Sequence, residues 1–211
     1  QTQAAEKGRN GMMDLFDSKN IKPMLIGKEM APFDDPKYMY ELKWDGERCV
    51  AYLEPGKLPE LRNKRNVRML NKVPELEEIS RQVKKRCILD GELFILKDGR
   101  PDFSLIQRRS LMSDRFKIEL DAKRNPATFL AFDILYCDYK DTLLQPLTER
   151  KDLLSKVVSD GPRMAISRYT EGCGTNLFDF ALKRKLEGIV AKKKDSIYIQ
   201  DKSTSDWIKM K

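Results

Sequence analysis

The stretch YMYELKWDGER (residues 38–48) carries the strongest structural signal in the chain. Apolar and polar side chains alternate in 37–43 and again in 47–54, which is typical of two paired strands. Alternation places Lys43 and Asp45 on the same face, and the glycine that follows allows a turn or the close approach of a ligand. The segment therefore predicts a strand that ends in a lysine with a carboxylate beside it.

The composition excludes several kinds of active site. The 211 residues include no histidine, which excludes Ser-His-Asp triads, histidine general bases and HExxH zinc sites. The four cysteines form no CxxC pair, which excludes a zinc ribbon or a thioredoxin-like motif, and we expect them to be reduced thiols. Chemistry in this chain must use Lys, Arg, Asp, Glu or a metal ion. A lysine beside a carboxylate can act as a nucleophile when its pKa is lowered.

The charge of the chain is strongly positive. It has 41 basic and 33 acidic residues, a net charge of +8, and two basic clusters at 57–72 and 183–211. Such clusters favour phosphate-rich partners, because each neutralised phosphate releases counterions. Charge alone fits a solvated, solubilising surface equally well. The sequence has no apolar window of membrane-spanning length and no signal-peptide core, so we expect no membrane contact and a cytoplasmic location.

Helical and strand patterns are interspersed without a strict βαβ rhythm, which predicts a mixed antiparallel α+β fold. A disordered leader is expected over residues 1–20 and an extended segment over 21–35. Beyond the hairpin, the predicted strands are 87–96 (interrupted at Asp90-Gly91), 128–136, 164–169, 187–193 and 206–211. The predicted helices are 74–86, 103–112, 148–158 and 176–186.

Four further motifs follow ELKWDGER along the chain. They are Asp90-Gly91-Glu92, Phe132-Asp133, EGIVAKK from Glu187, and the closing WIKMK. In this order, the five motifs resemble those of the covalent-lysine nucleotidyltransferases: ATP- and NAD-dependent DNA ligases, RNA ligases and mRNA capping enzymes. The flanking KPML, LDGEL, FDILY with PLTER, and EGIVAKK are most similar to bacterial ATP-dependent DNA ligases. The resemblance covers about residues 21–211.

This resemblance implies a fold and a domain organisation. The implied fold is the ATP-grasp-like DNA ligase nucleotidyltransferase domain, an α+β fold of two antiparallel sheets flanked by helices with the nucleotide between them. Residues 21–211 would be the adenylation domain, and the C-terminal OB-fold domain of such ligases would be absent. We therefore expect the 211 residues alone to self-adenylate slowly and to seal nicks poorly. ATP is favoured over NAD because the additional N-terminal domain and the cysteine-rich finger of NAD-dependent ligases are missing.

The resemblance also implies a reaction. Lys43 would attack the α-phosphate of ATP, release pyrophosphate and become lysyl-AMP. The AMP would pass to the 5′-phosphate of a nick in double-stranded DNA, and the 3′-hydroxyl would then displace it. Mg²⁺ or Mn²⁺ would offset the charge of the triphosphate. A monomer in the bacterial cytoplasm is expected, with nicked DNA and DNA repair proteins as partners.

Individual roles follow from the matched positions. Asp45 would assist Lys43 and the sealing step, Glu41 would contact the adenine edge, and Phe132 would stack on the base. The remaining nucleotide or phosphate contacts would be Arg48, Arg65 (with Arg62 as second choice, because LRNKRNVR matches the family imperfectly), Glu92, Glu187, Lys192, Lys209 and Lys211. Within that set, Glu92 would bind the ribose or the metal, Glu187 the metal, and the last two lysines the α-phosphate.

Two alternatives stay open at this point. An RNA ligase or a capping guanylyltransferase would share the motifs, and labelled ATP or GTP followed by nicked DNA or RNA would distinguish them. A non-catalytic nucleic-acid-binding module could use the two basic clusters alone. Lys43→Ala decides that case, because only an enzyme would lose a covalent nucleotide.

Overall fold

The structure, a computed structural model, describes residues 13–211. Its strands are β1 (Leu25–Met30), β2 (Tyr38–Lys43), β3 (Glu47–Leu53), β4 (Glu60–Asn63), β5 (Cys87–Lys97), β6 (Arg100–Pro101), β7 (Ala127–Cys137), β8 (Lys140–Asp141), β9 (Met164–Ile166), β10 (Tyr169–Glu171), β11 (Gly188–Lys193) and β12 (Ser203–Met210). Its helices are α1 (Leu15–Ser18), α2 (Phe103–Leu111), α3 (Arg115–Arg124), α4 (Leu147–Val157) and α5 (Gly174–Lys183). None of the helices within residues 13–211 has both the length and the apolar composition needed to cross a membrane.

The strands form two sheets. The first has the order β1-β12-β11-β2-β10, and the second has β4-β3-β5-β7-β8 with β9 added on β7 and β6 on β5. Pairing is antiparallel except where β1 meets β12 and β9 meets β7. The α+β fold with two mainly antiparallel sheets, expected from the motifs, is confirmed.

Alternation along β3 shows how the layers are built. Val50 and Tyr52 point to a core that they share with Met24 and Trp207, so this core lies between the two sheets. Cys49 and its alternate neighbours pack on the other side of the second sheet, together with α2, α4 and the 3₁₀ turns. Helix α5 covers the outer side of the first sheet. One open end of the layer between the sheets remains for a site.

Most predicted elements are confirmed within a few residues, with two differences among the strands. Strand β5 runs without a break through Asp90-Gly91, although its pairing with β7 shifts register there. A side chain at Gly91 would lie 2.3 Å from the backbone oxygen of Leu130, so the position requires close packing rather than a turn. The strand predicted over 164–169 is two short strands, β9 and β10, in different sheets.

The helix predicted over 74–86 is wrong. The segment forms two 3₁₀ turns, Pro74–Leu76 and Ile79–Gln82, and then an isolated bridge from Val83 to the end of α4. The apolar side chains still reach the core at the predicted spacing. The Gln82 side-chain amide, however, donates to the backbone oxygens of Ser159 and Met164, and the backbone also pairs outside the segment: Ser159 N donates to Gln82 O, and Lys84 N donates to Val157 O. These main-chain groups are therefore not available for the bonds of an α-helix.

The helices α1 and α3 and the strands β1, β4, β6 and β8 were not predicted from the sequence. Helix α3 has only Ile118 and Asp121 buried, so it has little apolar periodicity to detect. Strand β1 lies within the segment that we expected to be merely extended. Residues 1–12 of the expected leader lie outside the described residues. In 13–20, Asp14 caps α1 and Phe16 is buried against Tyr52 and Tyr136, so the packed chain begins before residue 21.

A buried ion pair fixes α4 to the second sheet. Arg150 donates to Asp133 on β7 with Nε–Oδ1 at 2.8 Å and Nη2–Oδ2 at 3.1 Å, and both side chains are fully buried. Its Nη1 also donates to the backbone oxygens of Gln145 and Ser196. The PLTER segment therefore acts as the structural partner of the Phe132-Asp133 motif.

We expect Arg150→Ala to destabilise the fold by about 3–5 kcal/mol, because it leaves a buried carboxylate without its partner. Arg115→Ala is the matched control, since its Nε lies 3.1 Å from Glu119 but the Arg115 side chain is 92% exposed. That exposed pair should contribute less than about 1 kcal/mol. Urea denaturation measures both, and equal losses of unfolding free energy in the two variants would contradict the assignment.

Candidate active site

A cavity of about 460 Å³ lies between the two sheets at their open end. Its walls come from β1, β2, β11 and β12 on one side and from β3, β5 and β7 on the other. Seven predicted site residues line it: Glu41, Lys43, Arg48, Arg65, Glu92, Phe132 and Lys192. Residues distant in sequence therefore meet in a space large enough for a small-molecule ligand.

Lys43 lies at the end of β2, at the mouth of the cavity. Its Nζ lies 3.0 Å from Glu187 Oε2, and Lys209 Nζ lies 3.2 Å from the other oxygen of the same carboxylate. Burial would raise the pKa of Glu187, but its hydrogen bonds and charge interactions with the two lysines outweigh burial and lower it. The pairing of β2 with β11 places Gly188 opposite Lys43, which brings Glu187 to the amine.

Glu41 lies on the same strand, deeper in the cavity wall, and is bound by two lysines. Lys192 Nζ lies 2.6 Å from Glu41 Oε2, and Lys151 of α4 donates to Oε1. Burial would raise the pKa of Glu41, but the charges of Lys151 and Lys192 lower it. Burial likewise lowers the pKa of Lys192 to about 8, against the effect of Glu41. All three side chains are almost fully buried.

Two aromatic rings lie beside the Lys192 ammonium group. Lys192 Nζ is 4.0 Å from the centre of the Phe132 ring and 4.4 Å from that of Trp207, both within cation–π range. Lys192, which we expected near a sugar or phosphate, thus lies beside Glu41 at the inner end of the cavity.

Lys151 was not predicted as a site residue, because only the tertiary fold brings a side chain of α4 to Glu41 on β2. The single sequence signal for it is its position directly after PLTER.

Arg48 lies on β3, opposite Glu92 of β5. Its Nε and Nη2 donate to Asp90 at 2.7 and 2.6 Å, and Nη2 also donates to the backbone oxygen of Met24 at 2.8 Å. The Tyr198 hydroxyl donates to Asp90 Oδ2 at 2.6 Å. Despite burial, Asp90 raises the pKa of Arg48. Arg48, predicted as a phosphate or sugar ligand, is thus firmly held against the cavity wall.

Glu92 presents a second carboxylate to the cavity. Burial raises the pKa of Glu92 to about 8, although Arg48 and Lys43 oppose the increase. A carboxyl group with this pKa holds a proton at neutral pH and can then donate a hydrogen bond to a ligand oxygen. Glu92 is therefore suited to a sugar hydroxyl when no cation is near.

The cavity offers few side chains that could bind the predicted metal ion. Within residues 13–211, no three His, Cys, Asp or Glu side chains group together in a way that could hold a metal ion. Both oxygens of Glu187 already face lysines, which leaves Glu92 as the freer ligand. The site fits Mg²⁺, which is bound through one or two carboxylates with substrate phosphates and water.

Four predicted residues do not line the cavity: Asp45, Glu187, Lys209 and Lys211. Asp45 is exposed in the turn after β2, where burial and the charge of Glu187 raise its pKa against the effect of Lys43. Lys209 lies near the mouth of the cavity, where its Nζ contacts Glu187, whereas Lys211 is exposed after the end of β12. Between the two arginine choices, Arg65 lines the cavity and Arg62 instead bonds Glu60 at 2.7 Å.

Comparison with known proteins explains this arrangement. The model of the ATP dependent DNA ligase domain matches residues 21–211, nine-tenths of the chain. The chain belongs to this family. The membership expected from the five motifs is thereby confirmed, and with it the assignment as an ATP-dependent DNA ligase adenylation domain. It favours DNA ligation over the RNA ligase and capping-enzyme alternatives.

Relatives within the ligase family include two bacterial proteins. A SPbeta prophage-derived DNA ligase-like protein LigB of Bacillus subtilis is 31% identical over 191 residues, covering 90% of this chain and 67% of that protein. The multifunctional non-homologous end joining protein LigD of Mycolicibacterium smegmatis is 28% identical over 214 residues, covering 97% of this chain and 26% of LigD. The ligase domain described here thus spans from about a quarter to two thirds of these relatives.

Solved ligase structures share the fold. A mycobacterial DNA ligase D complexed with ATP and MES has a TM-score of 0.75 at 25% identity, covering 94% of this chain and 62% of that chain. The ligase domain of M. tuberculosis LigD gives the same TM-score at 23% identity, with 93% and 60% covered. The two-sheet architecture of this ligase domain is therefore that of known ligases.

The pKa of Lys192 predicts a pH-dependent stability. The folded protein binds fewer protons at Lys192 than the unfolded chain between about pH 8 and the ordinary lysine pKa of 10.5. The contribution of Lys192 to the free energy of unfolding must therefore rise with pH across this window. Lys192→Met removes the contribution, so wild type should gain stability relative to the variant between the two limits. Urea denaturation at both limits measures this, and a constant difference would contradict the assignment.

Proposed function

We propose that Lys43 takes AMP from ATP to form lysyl-AMP. The observation that supports this most directly is the position of its Nζ at the mouth of a nucleotide-sized cavity, 3.0 Å from Glu187 and not in bulk water. Attack requires the neutral amine. Glu187 is one nearby proton acceptor, and Asp45, whose pKa is raised by burial and by Glu187, is the stronger base of the two.

In the proposed step, the lone pair of Lys43 Nζ forms a bond to the α-phosphorus. The bond from that phosphorus to the bridging oxygen breaks, and pyrophosphate leaves with the electron pair. Lys209, which shares Glu187 with Lys43, is placed to stabilise the charge that develops on the phosphate oxygens. Arg65 supplies a further positive charge at the cavity wall. Lys211 is proposed to contact the phosphates only when the residue after β12 moves toward them.

The other cavity residues would hold the nucleoside. Glu41 and Phe132 form the inner wall, where an acceptor for the adenine amino group and an aromatic face lie together. Glu92 would bind the ribose, with Arg48 fixing the adjacent wall. Lys192 is proposed to act on the base side through Glu41 rather than on the phosphates.

A divalent cation, Mg²⁺ or Mn²⁺, would be held by Glu92 and the triphosphate oxygens, with Glu187 contributing only when its lysines turn toward phosphate. When bound, it would neutralise phosphate charge and make pyrophosphate a better leaving group. The chain's own residues would then act on a less negative substrate, which favours approach of the Lys43 lone pair.

We further propose that the AMP is passed to the 5′-phosphate of nicked double-stranded DNA, which a 3′-hydroxyl then seals. Two facts support DNA as the partner: the relatives are DNA ligases or end-joining proteins by name, and basic side chains cluster in 57–72 and 183–211. The relatives are longer than this chain, so nick sealing is proposed for the protein as a whole. A monomeric state and DNA repair partners stay predictions.

Intact-mass spectrometry after incubation with ATP and magnesium tests the adenylation step. Wild type should gain one AMP, pyrophosphate should remove it, and Lys43→Ala should show no adduct, because the P–N bond has no other amine at this position. Lys57→Ala is the control, since within residues 13–211 its Nζ pairs with Glu54 alone and its side chain is 69% exposed. An adduct that persists in Lys43→Ala, or none in wild type at any pH tested, would refute the proposal.

A further inference from the structure

Lys151 connects two parts of the inner cavity wall. Its Nζ donates to Glu41 Oε1 and, at 2.6 Å, to the backbone oxygen of Phe132. It does so from behind the wall, because Lys151 belongs to α4 and does not line the cavity. One ammonium group therefore fixes the carboxylate on β2 and the backbone of β7 relative to each other.

The fold does not need this buried charge to dock α4. Arg150, the preceding residue, already binds Asp133 and two backbone oxygens. An apolar residue at position 151 would avoid the cost of removing an ammonium from water, which amounts to several kcal/mol before pairing. Lys151 is nevertheless 3% exposed and directed at a carboxylate in the cavity wall. This combination indicates a role at the cavity rather than in helix docking.

The contact leaves Glu41 with a defined acceptor. Lys151 donates to Oε1, and Lys192 Nζ lies 2.6 Å from the buried Oε2, so two ammonium groups fix the plane of the carboxylate in the cavity wall. An ionised carboxylate can only accept hydrogen bonds, whereas a protonated one also donates. A purine with a 6-amino group offers a donor to the remaining lone pairs of this carboxylate, and a purine with a 6-oxo group offers an acceptor that an ionised carboxylate repels.

We propose that Lys151 is a positioning residue: together with Lys192 it holds Glu41 ionised, and through its bond to the Phe132 oxygen it fixes the orientation of Glu41, and thereby makes the cavity select a 6-amino purine over a 6-oxo purine. This inference rests on the proposed function, in that the cavity must bind a purine nucleotide with its base beside Glu41. It assigns the selection to a residue that never touches the nucleotide.

The test compares ATP with GTP as the source of the covalent nucleotide. In Lys151→Met, the ratio of kcat/KM for ATP to that for GTP should fall roughly ten- to hundredfold, the size expected when a hydrogen bond to a charged group is lost. The loss should appear as a higher KM for ATP, with kcat changed far less, because Lys43 and its neighbours are untouched. Lys156→Met on the same helix is the control, since among the residues that the structure describes its Nζ pairs solely with exposed Asp152, at 3.3 Å.

Two more variants keep the test decisive. Lys151→Arg retains the positive charge and should keep most of the ATP preference, whereas Lys151→Gln can still donate to the Phe132 oxygen but lacks the charge and should lose it. If Lys151→Met does not fold by circular dichroism, the comparison of Arg with Gln replaces it. Folded neutral variants that keep the ATP to GTP ratio within about twofold of wild type would overturn the inference.

Failure of the proposed function gives a different result. If wild type forms lysyl-AMP and the neutral variants keep their preference for ATP, only the Lys151 inference fails. If wild type forms no adduct with either nucleotide, the adenylation proposal fails. Equilibrium binding of ATP and GTP then tests Lys151 directly: a preference for ATP that the neutral variants lose supports the inference, and equal affinities in wild type refute it.

Discussion

The antiparallel pairing of β2 with β11 is the constraint on which the site depends. Its register sets Gly188 opposite Lys43 and Val190 opposite Glu41. From this single alignment follow the contact of Lys43 with Glu187 and that of Glu41 with Lys192. A slip of one residue would turn every side chain of β2 to the other face of the sheet. Lys43 and Glu41 would then leave the cavity together.

Three almost fully buried carboxylates around the cavity are matched by basic groups. Asp90 is bound by Arg48, Asp133 by Arg150, and Glu41 by two lysines. Such pairs contribute little net stability, because desolvation of both charges offsets their attraction. They do penalise any arrangement that separates the partners. The result is a cavity wall whose polar atoms have fixed positions before a ligand binds, which reduces the ordering that binding would otherwise require.

The sequence predicts much of the site because each motif places a functional residue at a fixed point of a strand. Lys43, Glu92 and Phe132 reach the cavity as the motif order implies. What the sequence could not show are partners set by tertiary contact. Lys151 lies over a hundred residues from Glu41, and no local periodicity encodes that pairing. The same limit explains the 3₁₀ turns in 74–86, where long-range bonds to Gln82 override a helical pattern.

The distribution of charge along the cavity gives a nucleotide one favoured orientation. At the inner end, Glu41 is shared by the buried Lys151 and Lys192, and the Phe132 ring lies 4.0 Å from Lys192 Nζ. At the mouth, Glu187 is shared by Lys43 and Lys209, and the exposed Lys64 and Arg65 line the cavity and add positive charge that no carboxylate shared with these two lysines offsets. A triphosphate is stabilised at the positive end and a base at the aromatic end. In the proposed reaction the amine of Lys43 would then meet the phosphates rather than the base, because the exposed basic side chains lie at the mouth and the aromatic ring lies at the inner end.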